Sequence, residues 1–87
     1  MIHELKTWLP YYRAIVQGKK KFEVRLNDRN FQVGDKLKLM EYNNTTGEYT
    51  GRAITVDVSY ILNGGSFGIE KDYVVMSLGS TRKYHNH

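Results

Sequence analysis

"GKKKFEVRLNDRN", Gly18–Asn30, joins a run of lysines to a stretch with the two-residue period of a β-strand. Phe22, Val24 and Leu26 alternate with Lys21, Glu23 and Arg25, and successive side chains of a strand point to opposite faces. The pattern predicts a strand with Phe22, Val24 and Leu26 buried, and with the charged ends of Lys21 and Arg25 in water. By the same parity Lys20 falls on the inward side. A lysine there is costly unless it lines a cleft or reaches solvent. Lys20 thus decides whether this stretch is a solvated surface, a nucleic-acid contact or one wall of a cleft.

On the N-terminal side, "IHELK" at 2–6 is a short strand carrying His3 and Lys6. Trp8, Tyr12, Ile15 and Val16 then follow at the spacing of one helical face and predict a short helix over 8–17. Pro10 is tolerated in its first turn, and Gly18 is placed to end it in a left-handed conformation. On the C-terminal side come a turn at "NDRN", a Gly-Asp corner in "FQVGD" and a strand "KLKLMEY" with Leu37 and Leu39 inward. "NNTTGEYTG" reads as a hairpin loop, and "RAITVDVSYIL" as a long strand with Ile54, Val56, Val58 and Tyr60 on one face. "NGGSFG" is a further loop before the closing strand "DYVVMSL". "STRKYHNH" at 80–87 has no apolar period and is expected to be a disordered tail on a domain of residues 1–79.

Four or five strands, one inserted helix and no alternation of strand with helix predict an α+β fold. Its expected form is a small, strongly bent, mostly antiparallel sheet or partly closed barrel, since closure removes exposed edges. The 87 residues suffice for one domain, whose core must come from the 40% apolar residues because there is no cysteine. That absence excludes disulfides and thiolate metal sites and fits a cytoplasmic location. No apolar run approaches the roughly 20 residues of a membrane helix, and "MIHELKTW" lacks the apolar stretch of a signal peptide. Neither a membrane partner nor a cofactor is expected, and a monomer is.

The net charge of +4 permits a polyanionic partner without demanding one. Its distribution is more informative: Lys19, Lys20, Lys21, Arg25 and Arg29 crowd one short stretch against only Glu23 and Asp28. Tyr11, Tyr42 and Tyr49 are candidate exposed aromatics beside basic residues, which suits base stacking on single-stranded nucleic acid. His3 stands without a second ligand at metal-binding spacing, so a metal site is not expected. No G-x-S-x-G elbow supports a catalytic triad, and Gly64, Gly65 and Gly68 do not match a phosphate-binding fingerprint.

"HELK" at 3–6, the helix start at Trp8–Pro10, "GKKKFEVRLNDRNFQVGD" at 18–35 and "GEYTGR" at 47–52 together resemble the small ASCH-like proteins of bacteria and their viruses, within the PUA-like superfamily. The likeness spans about residues 2–78. Its core, G-x-K-x-x-E-x-R, is met by Gly18, Lys20, Glu23 and Arg25, followed by N-D-R and F-x-V-G-D. The resemblance implies a pseudo-barrel of about five strands, a helix over one opening and a motif-lined cleft. It also implies binding of RNA or a nucleotide. Lys6, Lys20, Lys21, Arg25 and Arg29 would hold phosphate, and Glu23, Asn27 or Asp28 would read a base edge or order the cations. The alternative it implies is a small amidohydrolase acting on a modified nucleoside such as N4-acetylcytidine, with Lys20 and Glu23 as candidate catalytic residues. Such relatives use a lysine and a threonine of this motif. Here the lysine falls on Lys20, but the threonine position is Glu23, which cannot replace an attacking hydroxyl.

Overall fold

The long alternating stretch near the middle of the chain becomes β4 (Glu48–Asn63), the central strand of one five-stranded sheet in a computed structural model that describes residues 1–86. Before it come β1 (Ile2–Trp8), α1 (Leu9–Val16), β2 (Phe22–Leu26) and β3 (Lys36–Asn43), and after it β5 (Tyr73–Asn86). The spatial order is β1-β3-β4-β5-β2. β1 runs parallel to β3, and the other pairs are antiparallel. The sheet curls into a half-barrel, an α+β pseudo-barrel as the sequence predicts. No helix of the described residues is long and apolar enough to cross a membrane.

Leu5, Leu37, Leu39, Ile54, Val56, Val58, Val74, Met76 and Leu78 line the inner face, and α1 packs onto β1 and β3 through Tyr12 and Ile15. The apolar stripe expected of the helix is thereby narrowed. Trp8 is the last residue of β1 and half-exposed, and Val16 also reaches solvent. Gly18 ends the helix as predicted, at φ 77°. Gly18 N–H donates to the Ile15 carbonyl and Lys19 N–H to that of Ala14, the bond pattern of a Schellman cap.

The expected facing of β2 is reversed. Phe22, Val24 and Leu26 are each about half-exposed, whereas Glu23 is 3% exposed. A strand register offset by one residue inverts every side chain, and here the inner side of β2 is polar. The apolar residues instead stand on the outer face beside β5, where Val24 lies opposite Val75 and Leu26 opposite Tyr73. β4 departs from simple alternation too. Ile54, Val56 and Val58 are buried as expected, but a register shift between Val58 and Tyr60 turns Tyr60 outward and brings Ile61 onto the core.

The tail expected to be disordered is the second half of β5. Arg82 through Asn86 pair with Val56 through Arg52 of β4, so the fold extends past residue 79; His87 lies outside the described residues. Backbone pairing needs no apolar period. The unpaired flank of the long β4 supplies the partner that the side-chain pattern does not announce.

The Gly-Asp corner anchors the start of β3. Asp35 accepts hydrogen bonds from His3 Nε2 at 2.8 Å and from the Gln32 N–H at 3.0 Å, while His3 meets the Phe31 ring edge-on at 4.8 Å. The His3 hydrogen bond, foremost, holds the Asp35 carboxyl below its ordinary 3.8. A carboxyl lowered on folding adds stability that is complete above 3.8 and lost as pH falls through the lowered value. Asp35→Asn should therefore be less stable than the native chain near neutrality, with the gap in urea midpoint closing as the pH drops below 3.8. Gly64 makes a close approach of another kind: a Cβ there would sit against the Glu70 and Tyr73 carbonyls, which are backbone and cannot step aside. Gly64→Ala is expected to cost about 1–3 kcal/mol in chemical denaturation.

Candidate functional site

A half-barrel leaves two sheet edges, and here β1 and β2 face each other across an open seam. Alternation decides which backbone groups point into it. The Met1 carbonyl accepts from the Lys36 N–H, so odd-numbered residues of β1 address β3 and even-numbered ones address the seam. The Lys21 carbonyl accepts from Leu78 N–H and the Asn27 N–H donates to the Asp72 carbonyl. Odd-numbered residues of β2 thus address β5, and the peptide groups of Phe22, Val24 and Leu26 turn to the seam.

Three seam carbonyls are met by cations. Lys20 Nζ donates to the Phe22 carbonyl at 2.7 Å, Arg25 Nη2 to the Lys6 carbonyl at 3.0 Å and Arg29 Nη1 to the Glu4 carbonyl at 2.8 Å. Glu23 lies buried between two of them, its Oε1 2.6 Å from Lys20 Nζ and its Oε2 2.8 Å from Arg25 Nε. Such charge-assisted bonds are the short, directional kind. Arg25 Nη2 also donates to Thr7 Oγ1 at 3.3 Å, and the Thr7 hydroxyl donates to the Leu5 carbonyl.

The seam opens as a cleft of about 350 Å³. β1 contributes Lys6, Thr7 and Trp8, α1 contributes Tyr11, and the opposite wall carries Lys20, Glu23, Val24 and Arg25. Trp8 and Tyr11 stack nearly parallel, with ring centroids 6.3 Å apart and planes inclined by 13°, and both are about half-exposed. Lys20 Nζ lies 4.8 Å from the Phe22 ring centre, and Lys6 Nζ 4.3 Å from that of Tyr42, which packs edge-on against Tyr49. Lys6, Lys20 and Arg25 share the cleft lining with one carboxylate, Glu23, an excess of positive charge.

Of the residues singled out in the sequence, Lys6, Lys20, Glu23 and Arg25 come together here, as does Tyr11. Lys20 joins Glu23 and Arg25 because β2 begins only at Phe22, so strand parity does not apply to it. The others lie outside the cleft lining. Lys21 is exposed, and its carbonyl is bound to β5. Asn27 Oδ1 accepts from the Phe31 N–H at 2.9 Å and shapes the turn in which Asp28 is exposed. Arg29 closes the seam at Glu4. His3 is committed to Asp35. Sequence reasoning missed Thr7, Trp8 and Val24. Trp8 had a usable signal, because Lys6 and Trp8 share parity on β1 and so share its exposed side.

On the other side of α1 a second cleft of about 270 Å³ includes Tyr12, Arg13, Glu41 and Arg52. Glu41, 1% exposed, accepts from Thr50 Oγ1 at 2.6 Å and has Arg13 Nε at 3.4 Å and Arg52 Nε at 3.8 Å. Burial, and next to it the Glu41 charge, raises the Tyr12 phenol above its ordinary 10.0. The clefts on the two flanks of α1 are therefore each lined by one buried carboxylate held between two cations. Glu23 is the more dependent, since Lys20 and Arg25 are themselves mostly covered, at 18% and 25% side-chain exposure. Removing both partners strands a buried charge. Lys20→Ala with Arg25→Ala is expected to cost about 3–5 kcal/mol in urea unfolding. Adding Glu23→Gln, which removes that charge, should recover most of it.

Comparison with known proteins gives a family but no activity. A family model described as a domain of unknown function, DUF3850, matches residues 2–78. The uncharacterized 12.9 kDa protein in the GpA 3′ region of Escherichia phage P2 is 33% identical over 75 residues, 86% of this chain. The match spans 65% of that curated relative's length. Kinship with small proteins of bacteria and their viruses is thus met by a phage relative. With the family model covering β1 to β4, the first part of β5 and the whole cleft, the chain belongs to the DUF3850 family.

Proposed function

We propose that this protein is an RNA- or nucleotide-binding module of ASCH-like, PUA-like type, and that its ligand occupies the cleft in the seam. The observation that carries this reading is the stacked Trp8–Tyr11 pair beside Lys6 and Lys20 in one cleft. An aromatic surface takes any base face, and adjacent ammonium groups take the phosphate, without sequence information. The volume suits one nucleotide unit rather than a helix. Lys20 donates to Phe22 and Glu23 and keeps one N–H for a ligand; Lys6 rests on Tyr42 through its ring and keeps all three. Arg25 and Arg29 serve this reading as seam closers rather than as phosphate ligands.

A second reading, the amidohydrolase, is favoured by the contact between Lys20 and the buried Glu23, a pair able to move a proton inside a cleft. Its weakness is the nucleophile. The aliphatic hydroxyl in the cleft lining belongs to Thr7, which donates to Leu5 and receives Arg25, so its proton faces no base.

Titrating a short single-stranded RNA at several salt concentrations tests the binding reading. Two phosphate-facing lysines give a log–log slope of roughly −1 to −2, and Lys6→Ala should flatten it by about 0.7, while Lys83→Ala, at an exposed position of β5, should not. Trp8→Ala should weaken binding by about 1–3 kcal/mol, with Trp8→Phe recovering part. Salt-independent binding, or acetate release from N4-acetylcytidine that Lys20→Ala abolishes, would overturn it in favour of the hydrolase.

A further inference from the structure

Most seam-facing carbonyls near the cleft are taken. Lys20 holds that of Phe22, Arg25 that of Lys6, and Arg29 that of Glu4. The Trp8 carbonyl turns into the start of α1, for which Trp8 is the N-cap. Val24 is different. It lines the cleft, its parity on β2 points both its N–H and its C=O away from β5, and no side chain among the described residues bonds to either. The N–H and C=O of one extended residue lie side by side and point the same way, the pair an antiparallel strand would engage. No strand is there. What shares the cleft is the Trp8–Tyr11 aromatic pair and two ammonium groups.

We propose that the Val24 peptide unit reads the Watson–Crick edge of a nucleobase. The inference rests on the nucleotide-binding reading and deepens it. A base stacked on the Trp8–Tyr11 surface presents its edge, not its face, to the cleft wall. The Watson–Crick edge of each common base places a donor beside an acceptor, as does an extended residue, so the two form a cyclic pair of hydrogen bonds. The ligand class follows. A base in a duplex has spent that edge on its partner, so the site takes a free nucleotide or an unpaired base of a single strand. A methyl group on the ring nitrogen of that edge removes the donor of guanine or uracil, or the acceptor of adenine or cytosine, and leaves a backbone group unpaired. This is the kind of mismatch that discriminates strongly.

The test uses the four ribonucleoside 5′-monophosphates, each beside its form methylated on the Watson–Crick edge. In the free protein the Val24 amide should exchange with solvent quickly, while those of Glu23 and Arg25, bonded to β5, exchange slowly. Saturation with the best-binding nucleotide should slow Val24 exchange by at least about tenfold, and the methylated form should bind at least about tenfold more weakly. Val24→Pro deletes the N–H. It is a substitution that an edge strand accepts where that N–H faces away from the ladder. It should weaken binding of the unmethylated nucleotide and narrow its advantage over the methylated form, whereas Leu26→Pro, the next seam-facing position and outside the cleft lining, should leave both unchanged. The exchange measurement needs no substitution, so it decides the matter even if Val24→Pro unfolds. Equal affinity for methylated and unmethylated forms, or a Val24 amide that stays unprotected in the complex, overturns the proposal. If nucleotides still bind in a Lys20-dependent way, the nucleotide reading stands without it. If no nucleotide binds the native protein, both fall.

Discussion

The seam between β1 and β2 is the constraint to which the other features answer. The curled sheet of five strands is not closed by backbone pairing between β1 and β2, and an open edge exposes carbonyls and N–H groups that invite other chains. This protein caps its edge carbonyls with side chains. Lys20, Arg25 and Arg29 reach the carbonyls of Phe22, Lys6 and Glu4, and Arg25 spans from one edge strand to the other. Cations brought this close to one another repel and lose hydration, and Glu23, buried between two of them, offsets both costs. One carboxylate thereby holds the seam geometry.

That solution accounts for the reversed face of β2. With Glu23 and Arg25 committed to the inner side, Phe22, Val24 and Leu26 can only stand outside, next to Val75 and Tyr73 of β5. The result is a strand whose apolar side faces solvent and whose polar side faces the barrel. An alternating pattern specifies two faces but not which of them is buried. The core is completed elsewhere, by β3, β4, β5 and the Tyr12–Ile15 side of α1.

The same arrangement leaves charge and hydrogen-bonding groups over. Capping consumes part of the hydrogen-bonding ability of Lys20 and Arg25 but not their positive charge, and Glu23 neutralises only part of it. An aromatic surface, ammonium groups and an unpaired strand residue then share one concavity. Glu41 repeats the carboxylate-between-cations device on the far flank of α1, with arginines that remain largely in solvent, side chains 58% and 60% exposed. The two flanks differ in what they leave open: ammonium groups and a peptide edge on one, guanidinium groups on the other.

The sequence by itself determined the elements, because these follow from local periodicity. The strand parities of Leu37 and Leu39 and of Ile54, Val56 and Val58, and the Gly18 helix end were all legible, as was a hairpin after β3, although residues 48–51 of the expected loop already belong to β4. The gathering of Lys20, Glu23 and Arg25 near Lys6 was legible only through the G-x-K-x-x-E-x-R motif and the resemblance it carries, because the parity that turned Lys20 inward rested on a facing of β2 that the fold reverses. Only the tertiary structure decided which face of β2 is buried, that residues 80–86 continue β5, and that Trp8 lines the cleft rather than the helix core. Each of these turns on a partner distant in sequence. Glu23 can be buried because the chain folds Arg25 against Lys6 and Thr7, and the polar tail is ordered because β4 has an unpaired flank to offer it. Local pattern carries the period of an element; its facing and its partners are set by long-range contacts that no window of the sequence contains.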